Sequence, residues 1–200
     1  MTKESYPFTA LIGQAQMKRA LILNIINPQI GGLLINGQKG TAKSTAVRSV
    51  GALMGCSITE VPLSVSEDRL VGSIDMEKTI LTGNVCIEEG LFKNADNGIL
   101  YVDEVNLLQD YIIDILLDVS ANKVNRIERE GVSYSHPSNF ALIGTMNVEE
   151  GILRPHFLDR FGLYVSVFSE RDPGVYVSAG ASERQRSGRN KNGPSSVHTH

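Results

Sequence analysis

Cysteine is scarce in this 200-residue chain: Cys56 and Cys86 are the only two. Two isolated thiols provide neither the paired spacing of a zinc site nor a disulfide framework, so a metal-stapled or disulfide-rich fold is excluded. Reduced, mostly buried thiols are expected. No stretch approaches the roughly 18–20 consecutive apolar residues that a membrane-spanning helix needs. The opening residues, Met1 to Pro7, lack the apolar segment of a signal peptide. An excess of positive charge is missing too, since 19 Lys and Arg face 22 Asp and Glu for a net charge of -3. That balance argues against nucleic acid as a partner. The expectation is a soluble, cytoplasmic protein that uses neither a membrane nor a nucleic acid.

The chain does contain a phosphate-binding signal. Leu33-Leu34-Ile35 is an apolar run, Gly37-Gln38-Lys39-Gly40-Thr41-Ala42-Lys43-Ser44 follows, and Thr45 to Val50 reads as the start of a helix. Strand, glycine-bearing loop and Lys-Ser at a helix start form the P-loop arrangement. Its backbone N–H groups converge on an anion, and the helix N-terminus adds partial positive charge. Lys43 is expected to reach the β- and γ-phosphates, and the Ser44 hydroxyl to bind Mg²⁺. Ala42 stands where a glycine precedes the lysine in the usual pattern. A methyl group there is tolerable if φ is negative and costly if φ is positive.

Periodicity supplies the rest of the fold class. Helices are expected over Gln14–Ile26, buried on a broad face, over Ala42–Met54 and over Gln109–Ala121. Strands are expected at Leu33–Asn36, Ile58–Leu63, Ile99–Val102, Phe140–Met146 and Leu163–Val167, with Ile99–Val102 and Phe140–Met146 of the buried type. Between them, Ser66–Gly72 reads as a helical turn, Lys78–Ile87 as a hairpin or looped insertion around Thr82-Gly83-Asn84, and Glu88–Ala95 as helical. Val124–His136 alternates around Arg129-Glu130-Gly131 and reads as a hairpin projecting from the body. Apolar strands alternating with helices indicate an α/β fold with a parallel sheet covered on both faces. Residues 169–200 carry few large apolar side chains, with five Lys and Arg against three Asp and Glu. They are expected to form a disordered tail beyond an α/β domain at 1–168.

Asp103-Glu104 follows the run Ile99–Val102, which places both carboxylates at the C-terminal end of a strand, where parallel sheets bind ligands. Asp103 suits Mg²⁺, directly or through water, and Glu104 suits polarising the water that attacks the γ-phosphate. Asn147 follows the next buried strand and could position that water; an ordinary turn asparagine is the plainer alternative. Arg160 could stabilise developing charge from a neighbouring subunit, although spacing alone favours a surface arginine paired with an acid. His156 has no recognisable metal or triad partner.

Several segments together carry a family resemblance: Tyr6 to Gln14, GQKGTAKSTAVR at 37–48, LYVDEVNLL at 100–108, VNRIEREGVSYSHP at 124–137 and GTMNVEEGILRPHFLDRFG at 144–162. In this order they resemble the ATPase subunit (subunit I) of magnesium chelatase, a branch of the AAA+ ATPases, over about residues 5–167. The resemblance implies a three-layer P-loop NTPase core with a central parallel sheet, a helix-2 insertion around 70–90 and a pre-sensor hairpin at 122–137. It implies that Gly37–Ser44 is Walker A, Asp103 and Glu104 are Walker B, Asn147 is sensor 1 and Arg160 is an arginine finger acting across a ring interface. Thr45 joins the cofactor-binding set. ATP and Mg²⁺ are the implied cofactors, with like AAA+ subunits in a ring and chelatase subunits as partners. The resemblance ends near Phe168, before the family's helical lid and its sensor-2 arginine, and the arginines at 171, 184, 186 and 189 offer no evident substitute. The implied function is the motor of a chelatase that inserts a metal into a tetrapyrrole. The alternatives are a MoxR-like or cobaltochelatase-like remodelling ATPase, or a truncated, non-catalytic regulator of a full-length paralogue.

Overall fold

The computed structural model describes residues 6–129 and 132–168. The expected tail at 169–200, with its arginines, and Glu130-Gly131 lie outside the described residues.

Helix α1 (Ala15–Ile26) leads to strand β1 (Leu33–Gly37), helix α2 (Lys43–Met54) and strand β2 (Ile58–Val61). Helix α3 (Glu67–Val71), strand β3 (Gly72–Ile74), helix α4 (Met76–Thr82), strand β4 (Ile87–Glu89) and helix α5 (Leu91–Asn94) follow. Then come β5 (Ile99–Val102), α6 (Asp110–Asn122), the hairpin β6 (Val124–Arg129) and β7 (Val132–Pro137), β8 (Ala141–Met146), α7 (Pro155–Leu158) and β9 (Leu163–Val167). Five strands form one parallel sheet in the order β2-β5-β8-β1-β9. β1, β5 and β8 are interior, which explains their near-continuous apolar sequences.

Alternation along the interior strands splits the core into two layers. Leu33, Ile35, Ile99, Tyr101, Ala141 and Ile143 face α1 and α2, where Met17, Leu21, Val47 and Val50 meet them. Leu34, Leu100, Val102 and Leu142 face the other way, onto Ile112, Ile113, Leu116 and Leu117 of α6, with Phe92 and Phe140. The three-layer α/β architecture expected from the sequence is therefore present. Its C-terminal strand ends bring Gly37, Asp103 and Asn147 to one edge.

Three local expectations need correction. Lys78–Ile87 is not a hairpin turning at Thr82-Gly83-Asn84; its first half, to Thr82, belongs to α4. Asp75 caps that helix by accepting from the Lys78 N–H at 3.0 Å, and Gly83 ends it at φ 68°. The antiparallel pair is instead β3 with β4, which brackets the helix, so Glu88 and Glu89 belong to a strand rather than a helix. The neck of this insertion needs glycine: a Cβ on Gly90 would lie 2.4 Å from the Gly72 nitrogen. Second, α1 buries a narrower stripe than expected, through Met17, Ala20, Leu21 and Asn24, while Leu23 and Ile26 are exposed. Third, the β6–β7 hairpin does not simply project. Asn125, Ile127 and His136 are buried, and the Asn125 amide donates to Val71 O at 2.7 Å and lies 3.0 Å from His136 Nε2.

Cys56 and Cys86 are free and half-buried. Among the described residues no helix is long and apolar enough to cross a membrane.

Candidate functional site

The loop between β1 and α2 is shaped by two left-handed residues, Gly40 at φ 84° and Ala42 at φ 58°. Ala42 is the N-cap residue of α2 and has no side-chain cap to offer. The alanine thus occupies the costly branch of the expectation, because its Cβ crowds the backbone in this conformation. The helix still starts there, with the Ala46 N–H bonded to Ala42 O at 2.9 Å. The free N–H groups of its first turn are left facing the loop.

Thr41 donates to Gln38 O at 2.8 Å and braces the loop from inside. The Lys43 ammonium folds over it, donating to Gly37 O at 2.5 Å and Gln38 O at 3.0 Å. Burial lowers the Lys43 pKa, while Asp103, Glu104 and Glu150 pull it upward. Gly37 answers a different need: a Cβ on it would lie 2.7 Å from Val167 O, so its bare backbone permits the close approach of β9.

A cavity of about 280 Å³ opens above this loop, lined by Lys39 to Thr45, Asp103, Glu104, Met146 and Asn147. Ten of the sequence-derived site residues therefore meet in one place. Gly37 and Gln38 are not in the lining and take part through their carbonyls. Arg160 lies elsewhere, bound within its own chain to Asp114 at 2.8 Å and to Asp118, both on α6.

At the back of the cavity, Asp103 Oδ1 accepts from Thr145 Oγ1 at 2.5 Å and from the Tyr101 hydroxyl at 2.9 Å. Thr145 also accepts the Glu104 N–H at 3.1 Å, which supports Glu104 in a left-handed conformation at φ 55°. Left-handed backbone at a non-glycine residue persists only where its surroundings hold it. Tyr101 lies beneath the cavity, 2% exposed, and burial pushes its phenol pKa well above the ordinary value.

The sequence reading did not single out Tyr101, Thr145, Glu149 or Glu150. The Lys39 ammonium lies 2.5 Å from Glu150 and 3.7 Å from Glu104, and Gln38 Nε2 donates to Glu149 at 2.9 Å. The phosphate loop is thereby tied to the segment after β8. Two acids shortly beyond Asn147, at 149 and 150, were the available signal, since they continue from the same strand edge as Asp103-Glu104. Asn147 satisfies both of its readings: its Oδ1 accepts the Glu149 N–H at 3.3 Å, as a turn asparagine does, while its side chain lines the cavity.

The donor chemistry fits Mg²⁺ and a polyphosphate. Mg²⁺ takes hard oxygen ligands, commonly one or two protein side chains completed by phosphate and water. Ser44 and Asp103 would provide such oxygens. Among the described residues no group of three or more His, Cys, Asp and Glu is placed to hold a metal ion. Lys39, Lys43 and the first turn of α2 would face the phosphate charge.

Comparison with known proteins agrees with this geometry. The chain is 48% identical to a magnesium-chelatase subunit ChlI homolog of Methanocaldococcus jannaschii, over 81% of this chain and 54% of that protein. It is 44% identical to the magnesium-chelatase 38 kDa subunit of Cereibacter sphaeroides, over 85% of this chain and 61% of that protein. The chain thus spans little more than half the length of these curated relatives. Among solved structures, a chain in the complex between subunits BchI and BchD of magnesium chelatase superposes with a TM-score of 0.81 at 42% identity. That match covers 92% of this chain and 67% of the other. The model of the AAA domain (dynein-related subfamily) matches residues 32–161, a span that holds the phosphate loop, the Asp103-Glu104 pair and Arg160, and the chain belongs to this family.

Proposed function

We propose that this protein binds Mg·ATP between the β1–α2 loop and the Asp103-Glu104 edge, and that it serves as the ATP-hydrolysing motor subunit of a magnesium-chelatase-type complex. The observation that carries the reading is the convergence of Lys43, Ser44, Asp103, Glu104 and Asn147 on one cavity. The likeness to chelatase subunits supports the choice of client, a partner that inserts a metal ion into a tetrapyrrole.

In this reading Lys43 leaves the Gly37 and Gln38 carbonyls to meet the β- and γ-phosphates. Ser44 and Asp103 would hold Mg²⁺, which would neutralise phosphate charge. Glu104 accepts the proton of the attacking water, and the Asn147 amide holds that water in line. Lys39 gives up its carboxylate partners, which leaves Glu104 free to act as a base. Arg160 reaches the phosphate of a neighbouring subunit in a ring, as an arginine finger supplied in trans.

The test is titration of the purified chain with a fluorescent ATP analogue, with and without Mg²⁺, followed by co-purification with intact chelatase partner subunits. Saturable, Mg²⁺-strengthened binding and nucleotide-dependent capture of the partner are expected. A chain that binds no nucleotide would sink the reading. One that binds ATP but ignores the chelatase subunits would leave the motor without this client.

A further inference from the structure

The hydrogen bonds beneath the cavity can be assigned by counting protons. The Tyr101 hydroxyl lies 3.1 Å from Ser44 Oγ and 2.9 Å from Asp103 Oδ1. A phenol has one proton to give, and an ionised carboxylate can only accept. The phenol proton therefore goes to Asp103, and the Ser44 hydroxyl donates to the phenol oxygen. Thr145 also donates to Oδ1 of Asp103. Two features follow. The Ser44 proton is drawn down, away from the cavity, so the serine lone pairs are free. Both donors to Asp103 converge on Oδ1, which leaves Oδ2 as its less committed oxygen.

These are the requirements of a hard cation, which needs oxygen lone pairs in fixed positions and no competing proton. We propose that Tyr101 is a positioning residue for the divalent cation, acting from beneath the cavity through Ser44 and Asp103. The inference rests on the Mg·ATP reading above. Tyr101 is not among the lining residues and meets the cavity through Ser44 and Asp103. Its ring is anchored in the apolar layer shared with Val47 and Ile143, which makes it a fixed strut between the phosphate loop and the acid-bearing strand. With phenylalanine in its place the Ser44 hydroxyl would be free to rotate, and Asp103 would lose one of its two donors.

The experiment is Tyr101→Phe in the full chain, with fluorescent ATP analogue binding measured in EDTA and in Mg²⁺. Mn²⁺ binding to the nucleotide-bound protein is followed in parallel by electron paramagnetic resonance. In EDTA the variant should bind within twofold of the parent. In Mg²⁺ it should lose about tenfold of the metal-dependent gain, the scale of one hydrogen bond to a charged group, and its Mn²⁺ affinity should fall to match. In a Ser44→Ala background the Tyr101→Phe effect should shrink, because only the hydrogen bond to Asp103 is then left to lose. Equal loss in EDTA and Mg²⁺ would make Tyr101 merely structural and overturn the inference. So would an unchanged variant, or losses that add fully in the double variant. If the parent chain bound no nucleotide in either buffer, the Mg·ATP reading itself would fall first.

Discussion

Arg160 donates from Nη1 to Asp114 Oδ1 at 2.8 Å, and its other terminal nitrogen reaches Asp118 one turn further along α6. The arginine proposed to act on a neighbouring subunit is therefore held by two acids of its own chain. Both acids are more than half exposed, and pairs of this kind contribute at most about 1 kcal/mol. Arg160→Ala should leave thermal stability nearly unchanged and nucleotide affinity within twofold. In assembled protein it should lower ATP turnover by about 10³-fold. Normal turnover in a ring of the variant would remove Arg160 from the mechanism.

In the proposed mechanism Lys43 and Glu104 separate binding from chemistry. Lys43→Ala should cost at least about tenfold in affinity for the ATP analogue, since it removes a charged contact to phosphate. Glu104→Gln should retain ATP and lose about 10²–10⁴-fold in turnover, the range of a positioned general base. Equilibrium binding and phosphate release, measured on the same preparations, check both. A Glu104→Gln variant that released phosphate at the parent rate would relieve the residue of its role.

Ala42 offers a gain instead of a loss. Left-handed φ costs alanine about 1 kcal/mol or more relative to glycine, partly offset by the greater freedom of glycine in the unfolded chain. Ala42→Gly should raise stability by about 0.5–1 kcal/mol, a melting shift of roughly 2–3 °C for a domain of this size. A lower melting temperature would show that the loop is not strained at this position.

The Lys39–Glu150 pair predicts a pH window. The hydrogen bond from Lys39 holds the Glu150 carboxyl below its ordinary range, and the same contact raises the Lys39 ammonium. A depressed carboxylate contributes stability above its unfolded value near 4.5, and that contribution is lost as pH falls through the lower folded value. A raised ammonium contributes below its unfolded value near 10.5 and loses the contribution as pH rises past the folded one. The pair should therefore persist from about pH 4.5 to 10.5. Carboxyl-carbon NMR should show the Glu150 titration moving up in Lys39→Ala; an unmoved titration would deny the contact in solution.

Phe92 and Phe140 stack almost parallel, with ring centroids 5.6 Å apart, and both are fully buried. Phe92→Ala should cost about 3–5 kcal/mol through the cavity it leaves. The melting temperature should fall by roughly 10 °C. A loss below about 1 kcal/mol would mean that the layer around α6 can collapse around the gap.

The sheet was legible because its interior strands carry little but apolar side chains, and the edge that bears the candidate site was legible because carboxylates and Asn147 follow them directly. The segment from 72 to 89 was harder. β-branched residues near Thr82-Gly83-Asn84 suggested strands, but Asp75 and Gly83 act as helix caps, and capping overrode propensity. Arg160 could be found only by its motif, since its acidic partners lie some 40 residues upstream. Tyr101 was concealed by its place in an apolar run, where a phenol reads as core until the hydroxyl is seen beneath Ser44.

The glycine neck at Gly72 and Gly90 has a consequence for the protein as an engineering chassis. Helix α4 buries no residue of its own, and Ile80 and Leu81 are more than three-quarters exposed. Ile74 and Ile87 already pair across the β3–β4 ribbon. Residues 75–86 thus form a cassette plugged into the AAA core, one that could be exchanged for a foreign segment while the socket keeps its shape.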